Sequence, residues 1–193
     1  MRRALLVLAA LLPAPAQITS PAVTPPSKSD VIHPATVLRM AKGPAIPRAT
    51  FDGLERNFDG LFNQVGDTVN LIDLLGNTRG VYLEGYGAVF TTELSLVATP
   101  GPSPFLTTIP KELVVRTHQK KVERLPGLRK AMKEMMRIAG LTLVQMPESQ
   151  QIVMVVRLDY RKWEDTSGLP GQILMRTDRK SAMLGEVTTT EEQ

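Results

Sequence analysis

Residues Arg79 to Val97 read RGVYLEGYGAVFTTELSLV, and this stretch decides the fold class. From Ala88 onward its positions alternate. Ala88, Phe90, Thr92, Leu94 and Leu96 face one way, and Val89, Thr91, Glu93, Ser95 and Val97 face the other. A period of two is that of a β-strand with one face against a core. Gly85-Tyr86-Gly87 breaks the run. It either turns Gly80 to Glu84 back as a hairpin partner or bulges one long strand.

Further along the chain, Gln151 to Tyr160 is the strongest strand signal. Ile152, Met154, Val156, Leu158 and Tyr160 lie on one side of it, opposite Val153, Val155, Arg157 and Asp159. Arg161 to Pro170 is a polar loop holding Trp163, the single tryptophan, and Gly171 to Asp178 is a last strand with Ile173 and Met175 inward. Leu141 to Met146 is a short strand candidate, separated from Gln151 by the turn residues Pro147-Glu148-Ser149-Gln150.

Helical spacing takes over elsewhere. Phe51, Leu54, Phe58, Leu61 and Phe62 share one face, with Asp52, Glu55, Arg56 and Asp59 on the other and Thr50 as N-cap. A second short helix is expected from Asp67 to Leu75, closed by Gly76-Asn77. After a proline-rich loop from Thr99 to Pro110, a long helical stretch runs from about Lys111 to Ala139. Val115, His118, Val122 and Leu125 form its first apolar face, and Leu128, Ala131, Met132, Met135 and Ile138 its second. Pro126 is expected to kink or split it, and Gly140 to stop it.

The order helix, two strands, long helix, three strands predicts an α+β fold. An antiparallel sheet of four to five strands carries helices on one face, in a single domain over residues 51–184 with a polar tail over 185–193. This order resembles that of roadblock- and longin-like domains and, loosely, profilin-like ones; the likeness is topological and implies no function.

The N-terminus carries a different signal. Met1-Arg2-Arg3, an apolar run from Ala4 to Leu12 and Ala14-Pro15-Ala16 have the layout of a secretory signal peptide, with cleavage after Ala16. The run is much shorter than the roughly 20 residues that cross a bilayer, so no transmembrane segment is expected in the mature chain. Residues 17–50 read as a Pro-rich, disordered tail, because prolines spaced among Ser and Thr cannot bury enough apolar surface to offset ordering. With no Cys in the sequence, disulfides, thiolate metal sites and an acyl anchor on an N-terminal Cys are excluded. Losing Arg2 and Arg3 reduces 23 basic residues to 21 against 19 acidic, so the net charge falls from +4 to +2. That balance does not point to nucleic acid as a partner.

Two residue groups are weak ligand-binding candidates. Tyr82, Glu84 and Tyr86 would form an aromatic–carboxylate–aromatic row on one strand face, suited to a small ligand or glycan or, equally, to cross-strand packing. Trp163, Glu164 and Asp165 lie in a loop that would clamp a ligand, although such a Trp more often seals a core edge. That loop offers too few oxygen ligands for Ca²⁺. Gly85-Tyr86-Gly87 lacks the third glycine and following helix of a dinucleotide site, so no cofactor is expected. His33 and His118 stand alone, without metal-ligand spacing. The run Arg116, Lys120, Lys121, Arg124, Arg129, Lys130, Lys133 and Arg137 would hold an anionic surface or form the solvated face of a helix. Met132, Met135 and Met136 suit core packing or an adaptable binding surface.

Gly80 to Phe90 and Trp163 to Gln172 are similar to the corresponding stretches of exported bacterial proteins of unassigned function. That resemblance covers about residues 51–184 and brings no activity, cofactor or site residue with it. The sequence therefore suggests an exported, periplasmic or extracellular, non-enzymatic protein acting through a protein partner in the cell envelope. A ligand-binding module using Tyr82, Glu84, Tyr86 and the Trp163 loop is the alternative. A hydrolase using Glu84, Glu93, Asp159, Glu164 or Asp165 is the second.

Overall fold

The structure, a computed structural model, describes residues 46–65, 72–99 and 108–193. The signal peptide, nearly all of the Pro-rich tail with His33, and most of the Thr99–Pro110 loop lie outside the described residues.

Helix α1 spans Arg48–Val65, so the fold begins ahead of Thr50, with Thr50 N bonded to Pro47 O. Strands β1 (Asp73–Leu83) and β2 (Gly87–Ser95) follow, then α2 (Lys111–Thr142), β3 (Gln151–Leu158), β4 (Gln172–Asp178), α3 (Arg179–Leu184) and β5 (Thr188–Glu192). This is the expected α+β order with one five-stranded sheet, its strands adjacent in chain order. β1–β2, β3–β4 and β4–β5 pair antiparallel, whereas β2 and β3 pair parallel. A parallel neighbour needs a crossover to return the chain to its starting edge, and α2 is that crossover.

The expected faces hold across the sheet. Ala88, Phe90 and Leu94 on β2, Ile152, Met154, Val156 and Leu158 on β3, and Ile173 and Met175 on β4 are all buried. They meet Phe51, Leu54, Phe58 and Phe62 from α1 and Leu128, Met132, Met135, Met136 and Ala139 from α2. Phe90 packs edge-on to Phe58, with ring centroids 5.1 Å apart. All three helices therefore cover one side. The three methionines are core residues.

Several local expectations are corrected. Of the helix expected over Asp67 to Leu75, residues 67–71 lie outside the described residues, and residues 73–75 belong to β1. Leu141 to Met146 is not a strand: α2 continues to Thr142 and the chain then turns, with Met146 N bonded to Leu143 O. Gly140 is not a stop but a close approach, since a Cβ there would meet Ala182 Cβ at 3.1 Å. Pro126 lies inside one continuous helix. Residues 185–193 are not simply a tail, because they supply edge strand β5.

The two sheet edges differ. On the outer edge of β1, Thr78 N donates to Asp59 Oδ1 (2.8 Å) and Gly80 N to Glu55 Oε1 (2.8 Å), while Arg48 Nη1 donates to Gly80 O (2.7 Å). Side chains of α1 thus occupy backbone groups that an unpaired edge would present to another chain. Glu55 was expected on the solvent face of α1; it is buried because this edge needs an acceptor.

Gly85-Tyr86-Gly87 resolves as a hairpin turn, since Leu83 pairs with Gly87. Gly87 has φ +139°, and a Cβ on it would lie 1.9 Å from Gln151 O, whereas Gly85, at φ 76°, faces open space. Gly85→Ala is predicted to cost about 1 kcal/mol from the left-handed backbone alone. Gly87→Ala combines strain with a clash and should cost about 3 kcal/mol or more. Urea unfolding of the two variants measures both, and equal losses would contradict the close approach.

Candidate functional site

The densest polar cluster lies where β2 and β3 end beneath α2. Lys121 is fully buried, and its Nζ forms an ion pair with Glu164 Oε2; the two side chains are only 1% and 2% exposed. Lys121 Nζ also donates to Ser95 Oγ (3.2 Å) and Asp159 O (3.5 Å), and lies 4.6 Å from the centre of the Tyr160 ring. Thr99 Oγ1 donates to the other Glu164 oxygen at 3.1 Å. Outside this centre, His118 Nδ1 donates to Asp165 O at 3.0 Å, and Tyr160 OH to Pro170 O at 2.7 Å. The 161–170 loop is thereby held to α2 at Glu164 and Asp165 and closed across its base by Tyr160 and Pro170.

Burial sets the protonation behaviour here. It lowers the Lys121 pKa, although the hydrogen bond and charge of Glu164 oppose the fall. Burial and the Glu164 charge push the Tyr160 phenol up to about 12. Asp165 is solvated, and hydrogen bonds from Ser167 hold its carboxyl below the ordinary value. Trp163 Nε1 is buried without a hydrogen-bond acceptor among the described residues.

A lysine of lowered pKa has the chemistry of a base or nucleophile, but this one is enclosed. A hollow of about 240 Å³ on one side is lined by Val97, Thr99, Leu113 and Thr117, and one of about 290 Å³ on the other by Tyr160, Ser167 and Leu169. Lys121 and Glu164 line neither. The arrangement suits a latch that holds the Trp163 loop on α2 better than it suits a reaction centre.

The two sequence-predicted groups do not meet. Tyr82 ends β1 on the helix side, half-buried, with its OH on Gln150 Oε1 at 2.9 Å. Glu84 and Tyr86 lie in the hairpin turn, so the three residues form no row on one strand face. Gln150 immediately precedes β3 and the Trp163 loop follows it. The eight residues of β3 separate the two groups by roughly 26 Å at ~3.3 Å per residue. Among the hydrolase candidates, Glu84 lies in the turn, Glu93 stands 3.7 Å from Arg157 across the sheet, and Glu164 is held by Lys121. Only Asp159, Glu164 and Asp165 share one end of the domain. Among the described residues no group of three or more His, Asp or Glu is placed to hold a metal ion.

Lys121 also corrects the reading of the basic run, where it was grouped with solvated residues. Val115 (56% exposed) and Val122 (46%) were expected inside and are outside, while Thr117, Lys121 and Leu125 are buried. Because α2 passes unbroken through Pro126, its inward stripe keeps one phase throughout. Extending the 128–132–135 stripe backwards lands on Leu125, Lys121 and Thr117.

The remaining feature is the sheet face opposite the helices. In register across it run Val81, Val89 and Val153, then Arg79, Thr91, Val155 and Leu174, then Glu93, Arg157 and Gln172. Val81 is 50% exposed and Leu83 45%. A shallow hollow of about 480 Å³ opens there between Arg79, Thr91, Glu93, Val155 and Arg157. With Arg176 exposed beside Val153, an aliphatic strip is bordered by three arginines. Among the described residues nothing packs on this face. No family model, characterised protein or solved structure matches the chain.

Replacing Lys121 with Met is predicted to cost about 3–5 kcal/mol, because Glu164 would stay buried without its counter-charge; Lys121→Met with Glu164→Leu should recover most of that loss. Urea unfolding of the single and double variants gives the comparison, and a double variant as weak as the single would refute the latch. Tyr160 supplies a pH test. Its folded pKa lies above the unfolded value of 10.0, so its stabilising contribution is complete below that pH and is lost as pH rises through about 12. Alkaline absorbance titration should show a phenolate step near 12 that is missing in Tyr160→Phe; a titration unchanged by the substitution would contradict the burial.

Proposed function

We propose that this is an exported, non-enzymatic protein of the cell envelope that acts by holding a partner protein on the open face of its sheet. The observation that carries the reading is that face itself: aliphatic side chains of β1 to β4, with Val81 and Leu83 exposed, Val89, Val155 and Leu174 partly exposed and Val153 buried among them, framed by Arg79, Arg157 and Arg176. An antiparallel or mixed sheet normally shows water a polar outer face, and a contiguous aliphatic strip within a polar rim is characteristic of an interaction surface. The excess of arginine over Glu93 favours a partner surface that combines aliphatic side chains with carboxylates. The Met1–Ala16 pattern supports export. The alternative of a ligand module built on Tyr82, Glu84, Tyr86 and the Trp163 loop is disfavoured by the length of β3 between its parts.

Photo-crosslinking groups placed at Val81 and Val155 of the chain expressed in its own host are expected to trap one acidic envelope protein. The adduct should disappear when Arg79 and Arg157 are both replaced by Glu, with folding stability changed by no more than about 0.5 kcal/mol. Adducts that form equally well in the Glu variant, or none at all from this face, would overturn the proposal.

A further inference from the structure

β5 closes the sheet on the side away from α1, and its outer edge contrasts with that of β1. α1 supplies Arg48, Glu55 and Asp59 to the backbone of β1, whereas among the described residues neither a strand nor a side chain covers the outer edge of β5, and every β5 residue is exposed. That edge presents a row of backbone donors and acceptors that another strand can complete. Its five side chains, TTTEE from Thr188 to Glu192, decide which strand fits.

The five residues complement themselves when two copies run antiparallel. With Thr190 opposite Thr190 of a second copy, Thr189 faces Glu191 and Thr188 faces Glu192, so each carboxylate meets a threonine. A parallel pairing in register would set Glu191 against Glu191 and Glu192 against Glu192. Sliding the antiparallel pair by two residues is the smallest step that keeps the faces matched. It sets Glu191 against Glu191 in one direction and Glu192 against the exposed Glu186 in the other. Like charges directly opposite destabilise a strand pair, which selects the pairing centred on Thr190.

Both glutamates find a cation in that register. Glu191 lies on the helix side, where Arg129 of its own copy donates to it through Nε (2.6 Å) and Nη2 (2.8 Å). Glu192 lies on the open face with Thr188 and Arg176, and Thr188 is directly opposite Arg176. Within one chain Glu192 is opposite Gln172, roughly 13 Å along β4 from Arg176 at ~3.3 Å per residue. Across the pair, Glu192 of the second copy falls beside Thr188, two strand spacings or about 10 Å from the Arg176 backbone. The threonine between them is short, and the exposed Arg176 can reach over it to the carboxylate.

We propose that β5 pairs antiparallel with β5 of a second copy, centred on Thr190, with Arg176 of each copy on Glu192 of the other. The two five-stranded sheets then form one continuous sheet with all helices on one side. Two five-residue strands make a small contact, which places the dimer in the weak, concentration-dependent class. Arg79 and Arg157 lie on β1 and β3, outside this contact, so the open-face reading and the dimer can fail separately.

The sequence contains no Cys, so a single introduced thiol reports only its own position. Under mild oxidation the full chain carrying Thr190→Cys should form a disulfide-linked dimer, and Thr188→Cys mixed with Glu192→Cys a mixed one. Thr188→Cys alone should not, because its two copies would lie about 13 Å apart or more, beyond disulfide reach. Sedimentation of the unsubstituted chain should show a mass that rises with concentration. Arg176→Glu and Glu192→Arg should each weaken association about fivefold, the scale of two exposed charge contacts, and the double variant R176E/E192R should restore it. A chain monomeric at every concentration, disulfides formed equally at positions 188, 190 and 192, or a double variant as weak as the single ones would each overturn the proposal.

Discussion

The parallel pairing of β2 with β3 is the constraint on which the rest of the molecule depends. Two parallel neighbours cannot be joined by a tight turn, so the chain must return along the whole sheet before β3 begins. α2 does this in 32 residues, about 48 Å at ~1.5 Å per residue, well beyond the roughly 26 Å that β3 spans. Its C-terminal two-thirds lie over the sheet and bury Leu128, Met132, Met135, Met136 and Ala139. Its first turns extend past the strand ends. That overhang explains why Val115 is exposed and why His118 meets the 161–170 loop rather than the core.

Lys121 stands at the transition between these two regions. The inward phase of α2 carries it into the protein where the strands have ended and backbone oxygens and loop side chains replace aliphatic neighbours. Ser95, the Asp159 carbonyl, Glu164 and the Tyr160 ring supply what its ammonium needs there. Such a pair adds little net stability over a well-packed apolar pair, but each member is costly to remove alone. Its effect is positional: the 161–170 loop is held on α2, and Trp163 is carried inward with it.

Much of this was legible in the sequence where a single period governed a segment. The alternation from Ala88 to Leu94 and from Ile152 to Leu158 identified the buried face correctly, as did the 3.6-residue spacing from Phe51 to Phe62. The failures share one cause, tertiary context overriding local pattern. Side-chain type places the apolar Val115 and Val122 inside and the charged Lys121 outside; helix phase, which decides all three, does the reverse. Residues 188–192, TTTEE, have no apolar alternation because they form an edge strand exposed along its length. Glu164 was a candidate from its place beside Trp163, but its partner lay 43 residues away and no spacing rule connects them.

The same crossover places α2 on the side of the sheet that α1 also covers, and α3 follows it between β4 and β5. Among the described residues one face is thereby filled and the other left uncovered, and the functional reading depends on that asymmetry. A water-soluble paramagnetic probe added to the methyl-labelled chain tests it most directly. The methyl signals of Val81, Val89, Val155 and Leu174 should be strongly attenuated, and those of Met132, Met135, Met154 and Val156 preserved. Equal protection of both sets would show that the face is covered and would contradict the account.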